Sequence, residues 1–205
     1  MRVYLLSTAV APLGSGLGGG VEHMVVTAAR QLHALGHRAQ IIAPMGSVAH
    51  APDLLTLPGR LAPTAVTYGH DLPLPIEADA FLVTALRWLT EQAQPADVIL
   101  NFSYDWLPLF MSDYLPCPLA TLVSMGPLNR SMDMEIRRCA DRRPARIAFL
   151  SAAQASSFGM SDPVRLIPPG LDLAQYRYNA HPGDAVGWLG RIAPEKGLAE
   201  LFAQI

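Results

Sequence analysis

A glycine-rich stretch near the start of the chain constrains the fold more than any other sequence feature. Five of the seven residues 14–20 are glycine, and they lie between an apolar run and a segment of helical periodicity. Glycine has no Cβ, so backbone N–H groups in such a turn can approach an anion closely, and a following helix directs its positive dipole end at the same point. The stretch predicts a phosphate-binding turn; a merely flexible loop is the alternative.

The segments on either side of this turn predict a strand–helix–strand unit. Residues 3–6 are a short apolar run, typical of a strand that is buried on both faces of a parallel sheet. Apolar residues between positions 21 and 35 recur at spacings of three and four, which indicates an amphipathic helix that ends at Gly36. Residues 39–43 follow as a strand. The fold class we expect is α/β, with a Rossmann-like parallel sheet and helices on both faces.

The same alternation continues along the chain. Further strands are predicted at 54–57, 98–102, 119–123, 146–150, 164–167 and 185–189, and further helices at 77–94 and 198–205. A polar stretch at 177–184 is typical of a linker. The apolar stripe of the last helix needs more cover than one strand can supply. We therefore expect residues 1–180 to form one domain and residues 181–205 to open a second, truncated domain.

The composition excludes several classes of protein. The formal net charge of the 205 residues is -2, which gives no electrostatic attraction to nucleic acid. Cys117 and Cys139 are too few for a disulfide framework and fit a reducing cytoplasm, where we expect the protein. The apolar run after Arg2 leads directly into the glycine turn, so we interpret it as a strand rather than a secretion signal. No apolar run reaches the ~18 residues of a membrane span.

A cluster of arginines is the strongest local charge feature. The five residues are Arg137, Arg138, Arg142, Arg143 and Arg146. We expect them to form a solvated helix end, and contact with an acidic lipid surface or a phosphorylated ligand is the alternative.

Polar residues follow several predicted strands. Tyr104 and Asp105 come after the strand at 98–102, and Ser124 comes after the strand at 119–123. In open α/β sheets, ligands bind beyond the carboxyl ends of the strands, so we expect these residues to share one crevice with the glycine turn. His70 and Asp71, in a proline-rich excursion at 53–75, are candidates to close over a ligand there.

A dinucleotide-binding enzyme is one alternative. Gly14, Gly16 and Gly19 satisfy the G-x-G-x-x-G pattern of NAD(P)-dependent oxidoreductases. In that pattern the first glycine closes the strand directly, whereas residues 9–13 intervene here. The second strand also ends at Pro44 without the acidic residue that holds a ribose. No Gly-Lys-Ser/Thr follows the glycines, which excludes a Walker P-loop.

Three motifs together resemble glycosyltransferase family 4. They are Gly-Gly-Val-Glu at 19–22, Ile-Pro-Pro-Gly-Leu-Asp at 167–172 and Gly-Arg-Ile-Ala-Pro-Glu-Lys-Gly at 190–197. The resemblance implies the GT-B fold, in which two Rossmann-like domains face each other across a cleft. It implies that the first domain binds mainly the acceptor and the second mainly the nucleotide sugar. Retention of anomeric configuration is implied, with no metal or other cofactor required.

The resemblance also implies roles for individual residues. The Gly20 N–H, with Gly19, is placed near the donor's β-phosphate, and Arg191 and Lys196 neutralise the departing diphosphate. Fixed positive charge is what such a leaving group needs as its negative charge develops. Gly20, Arg191 and Lys196 are thus the expected catalytic residues, and with Gly19 they are expected to bind the donor phosphates.

The acceptor side departs from the family pattern. Many members have a histidine after the strand at 119–123, where this chain has Ser124 and Met125, and the common His-x-His near the previous strand is absent. The acceptor-binding residues we expect are Glu22, Asn101, Tyr104, Asp105 and Ser124.

A narrower similarity, carried by residues 101–108 and 12–16, is to cyanobacterial pteridine glucosyltransferases, which glucosylate tetrahydrobiopterin from UDP-glucose. The aromatic residues expected to stack on a pterin are Phe102, Tyr104 and Trp106, with packing of the helix start as the alternative. Asn101 or Asp105 is expected to pair with the pterin ring. The resemblance implies a hexosyltransferase that is nearly inactive as this fragment, and a non-catalytic sugar-nucleotide-binding module is the remaining alternative.

Overall fold

The structure is a computed structural model that describes residues 1–48, 51, 53–67, 69–75, 77–161, 164–173, 176–181, 183–188, 190 and 196–204. The chain forms two compact units, Met1–Leu171 and Asp172–Ile205. The division into domains at residue 180 stays a prediction.

Strands and helices alternate along the first unit. Its strands are β1 (Arg2–Leu6), β2 (Arg38–Pro44), β3 (Leu54–Leu57), β4 (Val98–Asn101), β5 (Leu119–Val123) and β6 (Ile147–Phe149). Its α-helices are α1 (Gly20–Ala34), α2 (Phe81–Gln92), α3 (Trp106–Met111), α4 (Arg130–Arg142) and α5 (Ala152–Ser157), and short 3₁₀ turns lie at Ala65–Thr67 and Pro144–Arg146. The second unit contains α6 (Leu198–Phe202).

All six strands are parallel and have the order β3-β2-β1-β4-β5-β6. Leu5 of β1 lies opposite Ile41 of β2 on one side and Leu100 of β4 on the other. Because the strands are parallel, their carboxyl ends meet at one edge of the sheet, which we call the carboxyl edge. The predicted α/β fold with a Rossmann-like parallel sheet is confirmed.

Helices pack on both faces of this sheet. Tyr4 and Leu6 of β1 pack against α2, whereas Val3 and Leu5 pack against α1 on the opposite face. This alternation explains why β1 is apolar at successive positions, as a strand covered on both faces must be. A third apolar cluster joins β6 to α4 and α5 around Phe149.

Three predicted elements differ from the structure. Helix α2 begins at Phe81 rather than at residue 77. The Arg60 N–H donates to the Asp79 carbonyl and the Phe81 N–H donates to the Arg60 carbonyl, and these two bonds hold residues 77–80 in a turn. The predicted strand at 164–167 pairs with β6 only through Leu166. Residues 185–188 form no strand, because no neighbouring strand is present among the residues described in the second unit.

Among the helices of the described residues, none combines the length and the apolar character that a bilayer crossing requires.

Candidate functional site

The carboxyl edge brings together loops from distant parts of the sequence. Ser7 follows β1, Tyr104 follows β4 and Ser124 follows β5, and these three strands are neighbours in the sheet. The glycine turn leads from β1 into α1 at the same edge. The structure thus places the loops at one edge, as the polar residues after the strands predict.

Backbone geometry explains the first glycines of the turn. Gly14 and Gly16 have φ angles of 78° and 77°, in the left-handed region that favours glycine. A Cβ on Gly14 would also overlap the backbone carbonyl oxygen of Val48. The Val48 N–H in turn donates to the Leu13 carbonyl at 2.8 Å. The turn is therefore held against the loop that follows β2.

The last glycines of the turn have a different setting. Gly19 is the N-cap of α1 and Gly20 is its first residue. Neither has a positive φ, and a Cβ on either would meet no atom within 4 Å. Packing among the described residues therefore does not demand glycine here, and the backbone at the start of α1 is open to a ligand.

Three polar side-chain atoms between the end of β1 and the first turn of α1 are buried without a hydrogen-bond partner among the described residues. They are Ser7 Oγ, Thr8 Oγ1 and Glu22 Oε1. The Glu22 carboxylate lies directly over Gly18, since a Cβ at that glycine would overlap it. Leaving a buried polar atom unpaired costs about 1–3 kcal/mol, so Glu22 Oε1, in the first turn of α1, is a candidate to pair with a ligand bound at the open helix start.

Burial raises the pKa of the Glu22 carboxyl, while the Gly14 backbone amide and His23 oppose the rise. Ionising Glu22 therefore costs the folded protein free energy that the unfolded chain does not lose. This cost is absent below the unfolded pKa and grows as the pH rises through the folded pKa. A carboxyl group of this kind, at the mouth of a turn, is a candidate for proton exchange with a ligand.

We expect Glu22→Gln to raise the thermal midpoint at pH 7, with the gain vanishing at pH 3, well below the unfolded pKa, where the wild-type carboxyl is protonated in both states. Thermal unfolding of both proteins at the two pH values measures it. Glu91→Gln, on the exposed end of α2, controls for the substitution itself. A gain of equal size at both pH values contradicts the predicted cost of ionisation.

The side chain of Asn101, at the end of β4, is fully buried and makes three internal hydrogen bonds. Its Nδ2 donates to the Ser103 carbonyl at 3.1 Å and to Thr121 Oγ1 at 3.2 Å, and its Oδ1 accepts from the Ser103 N–H at 3.0 Å. Both amide protons are therefore used inside the protein. Its contact with an acceptor stays a prediction.

Asp105 and the neighbouring aromatic residues support the loop after β4. Asp105 is the N-cap of α3 and accepts the Leu107 N–H at 2.9 Å, and burial raises the pKa of its carboxyl. Phe102 is buried in the core, and Trp106 stacks on Phe110 at 4.6 Å between ring centroids. The Phe102 ring thus belongs to the core, and stacking of a pterin on it stays a prediction.

Tyr104 belongs to a polar cluster with Asp133 and His70. The Tyr104 hydroxyl donates to Asp133 Oδ1 at 3.5 Å, and His70 Nε2 lies 3.6 Å from Asp133 Oδ2. Burial raises the pKa of both Tyr104 and Asp133, whereas His70 and Arg137 act against the rise at Asp133. Asp133 was not predicted from the sequence, where its polar position in an arginine-rich helix carried no functional signal.

The loop that carries His70 is fastened to the start of α4. Asn129 Nδ2 donates to the carbonyls of Gly69 and Leu72 at 3.2 and 2.9 Å, and the Arg130 N–H donates to the His70 carbonyl at 2.8 Å. Asn129 Oδ1 also caps α4 by accepting the Ser131 N–H. The predicted approach of His70 to the carboxyl edge therefore has a structural basis.

Ser124 is half-buried in the loop after β5. Gln154 holds this loop, since its Nε2 donates to the carbonyls of Val123 and Met125 at 2.9 and 2.8 Å. The Ser124 side chain lies at the predicted edge, and its contact with an acceptor stays a prediction.

The arginine cluster is partly neutralised within the protein. Arg138, Arg142 and Arg143 all pair with Asp113, at 3.4, 3.2 and 2.9 Å. Arg137 Nε donates to the Phe158 carbonyl at 2.7 Å. These contacts fit the predicted helix end. They join the arginine side chains to Asp113, which follows α3, and to Phe158, which follows α5.

No family model matches the sequence, and no curated protein matches it. Among solved structures the chain is similar to AviGT4, described as a glycosyltransferase involved in avilamycin A biosynthesis, with a TM-score of 0.60 and 20% sequence identity. The match covers 99% of this chain and 52% of AviGT4, so the chain spans about half the length of that protein. The chain shares its fold with a glycosyltransferase.

This glycosyltransferase-like fold agrees with the resemblance found in the sequence, whereas membership of family 4 and pteridine specificity stay predictions. Of the two predicted catalytic cations, Arg191 lies outside the described residues. Lys196 is exposed in the second unit and is the only lysine of the sequence. The backbone carbonyl of Lys196 accepts a hydrogen bond from Trp188 Nε1 at 3.4 Å, and this bond does not involve the ammonium group.

Proposed function

We propose that the chain carries the acceptor-binding domain of a retaining glycosyltransferase that transfers a hexose, glucose from UDP-glucose, to a small acceptor such as a pterin. The observation that carries this proposal is the open backbone at the start of α1, with the unpartnered buried Oε1 of Glu22 in its first turn. The fold shared with AviGT4 supports glycosyl transfer as the chemistry of such a site.

The proposed roles divide between the donor and the acceptor. The backbone N–H of Gly20 binds the donor phosphate, because its helix end is positive and no side chain blocks the approach. Arg191 and Lys196 neutralise the diphosphate as the bond from sugar carbon to phosphate oxygen breaks. Glu22 and Tyr104 lie on the acceptor side. No metal takes part in this scheme.

The test is a UDP-release assay of the longest native form of the protein, with UDP-glucose and other nucleotide sugars as donors and pterins, lipids and simple sugars as acceptors. We expect release of UDP that depends on a pterin. Lys196→Ala is expected to lower turnover about tenfold or more, while Lys196→Arg, which keeps the charge, retains most of it.

Two results would contradict the proposal. Wild-type turnover in both Arg191→Ala and Lys196→Ala removes the roles assigned to these side chains. Tight binding of NADH, with no UDP release from any donor, supports the oxidoreductase alternative instead. An amine-reactive label followed by mapping of the peptide that contains Lys196 gives a further readout: UDP-glucose is expected to protect this side chain.

A further inference from the structure

The two carboxylates that face the ring of His70 differ in their exposure to water. Asp71 Oδ1 lies 3.1 Å from Nδ1, and the Asp71 side chain is 79% exposed. Asp133 Oδ2 lies 3.6 Å from Nε2, and the Asp133 side chain is 6% exposed. Water competes with the first contact far more than with the second. A ligand can therefore replace Asp71 at Nδ1 while Asp133 keeps its place at Nε2.

The imidazole is positioned by the backbone of its loop. The carbonyls of Gly69, His70 and Leu72 all accept hydrogen bonds from the start of α4, at Asn129 and Arg130. None of these bonds uses the imidazole itself. Its ring is thus held at the carboxyl edge before a ligand arrives, which spares a ligand the cost of ordering the loop.

We propose that His70 binds a hydroxyl group of the acceptor at Nδ1, an inference that rests on the proposed function. Because a carboxylate only accepts, Nδ1 carries the proton in its 3.1 Å contact with Asp71, and it donates that proton to the hydroxyl oxygen of the ligand when the ligand replaces Asp71. Asp133 Oδ2, 3.6 Å from Nε2, faces the other side of the ring as a negative charge. The Tyr104 hydroxyl donates to the other oxygen of Asp133 and fixes the orientation of the carboxylate. The exposed Asp71 carboxylate moves into water.

The charges around the ring select the class of ligand. Asp133 stays 3.6 Å from the ring and the displaced Asp71 remains the next residue of the chain, so a phosphate or carboxylate at Nδ1 would have two carboxylates nearby. Arg137, whose charge also acts on Asp133, has its Nε bonded to the Phe158 carbonyl. The ligand favoured here is a neutral molecule that carries hydroxyl groups.

The experiment follows the histidine resonances of the 205-residue chain by NMR, with His70 assigned from the His70→Ala variant. The probes are L-biopterin, whose side chain carries hydroxyl groups, 6-methylpterin, which lacks them, glycerol and glucose. We expect biopterin to shift the His70 resonance and to leave that of His33, at the far end of α1, unchanged. His70→Ala is expected to bind biopterin about tenfold more weakly and 6-methylpterin as the wild type does.

Variants of the partners separate binding from a purely structural role. Asp71→Ala is expected to bind biopterin at least as tightly as the wild type, because it frees Nδ1, and Asp133→Asn to bind it more weakly. Thermal unfolding checks that each variant is folded. The proposal is overturned if His70→Ala binds biopterin as the wild type does, or if no hydroxylated probe shifts the His70 resonance.

Failure of this proposal and failure of the proposed function give different results. Binding of biopterin at His70 in a protein that releases UDP from no donor contradicts the transferase and leaves the hydroxyl site standing. Transfer with an unchanged acceptor KM in His70→Ala contradicts the hydroxyl site and leaves the transferase standing.

Discussion

Gly14→Ala is expected to lower the free energy of unfolding by about 3 kcal/mol. Two separate effects add at this position. The φ angle of 78° is unfavourable for alanine, and the added methyl group would overlap the Val48 carbonyl oxygen, which belongs to the backbone and cannot rotate away. The loop after β2, which is bonded to Leu13, must therefore move.

Two neighbouring glycines serve as controls for this variant. Gly16 has almost the same φ, 77°, but open space where a Cβ would lie, so Gly16→Ala is expected to cost only about 1 kcal/mol. Gly20→Ala combines an ordinary φ with open space and is expected to leave stability unchanged or slightly higher. Urea denaturation measures all three variants. Equal losses at Gly14 and Gly16 would show that the overlap with Val48 has no effect.

Asn101→Ala is expected to destabilise the protein by about 3 kcal/mol. The variant leaves the buried N–H and carbonyl of Ser103 and the hydroxyl of Thr121 without their partner. Thr121→Val, which removes one of the three hydrogen bonds, is expected to cost about 1 kcal/mol. The free energies of unfolding in urea measure both effects.

The same variant distinguishes a structural amide from one that binds the acceptor. A structural Asn101 predicts that stability falls while biopterin binding, measured well below the midpoint of unfolding, changes little. Wild-type stability together with lost binding would assign the amide to the acceptor and contradict the role of its internal hydrogen bonds.

Local patterns were sufficient to predict the sheet. The apolar runs at 39–43 and 119–123 lie in strands, and the periodic segment after Gly20 is a helix that ends at Ala34, two residues before Gly36. Short-range spacing determines which residues face the core, so it is visible in one sequence. The segment at 164–167 was predicted as a strand, but it pairs with β6 only through Leu166. Such pairing depends on a neighbour that is distant in the sequence.

The candidate site was predicted only where residues follow a strand. The position of Tyr104 follows from the end of β4. By contrast, the meeting of His70 with Asp133 depends on how the loop after β3 lies on α4, and no local pattern encodes such a contact. The burial of Glu22 and of Ser7 likewise comes from the folded turn. Functional contacts between residues that are distant in the sequence can therefore be recognised only in the folded structure.

The hydrogen bonds from Asn129 to the His70 loop have a consequence for protein engineering. The loop and the start of α4 are far apart in sequence, yet each supplies bonding groups that the other would lack alone. An engineer who transplants residues 69–72 into a related scaffold must carry Asn129 and Asp133 with them. Recombination between homologues at any point between residues 72 and 129 separates these two halves, and the chimera inherits a loop without its anchor.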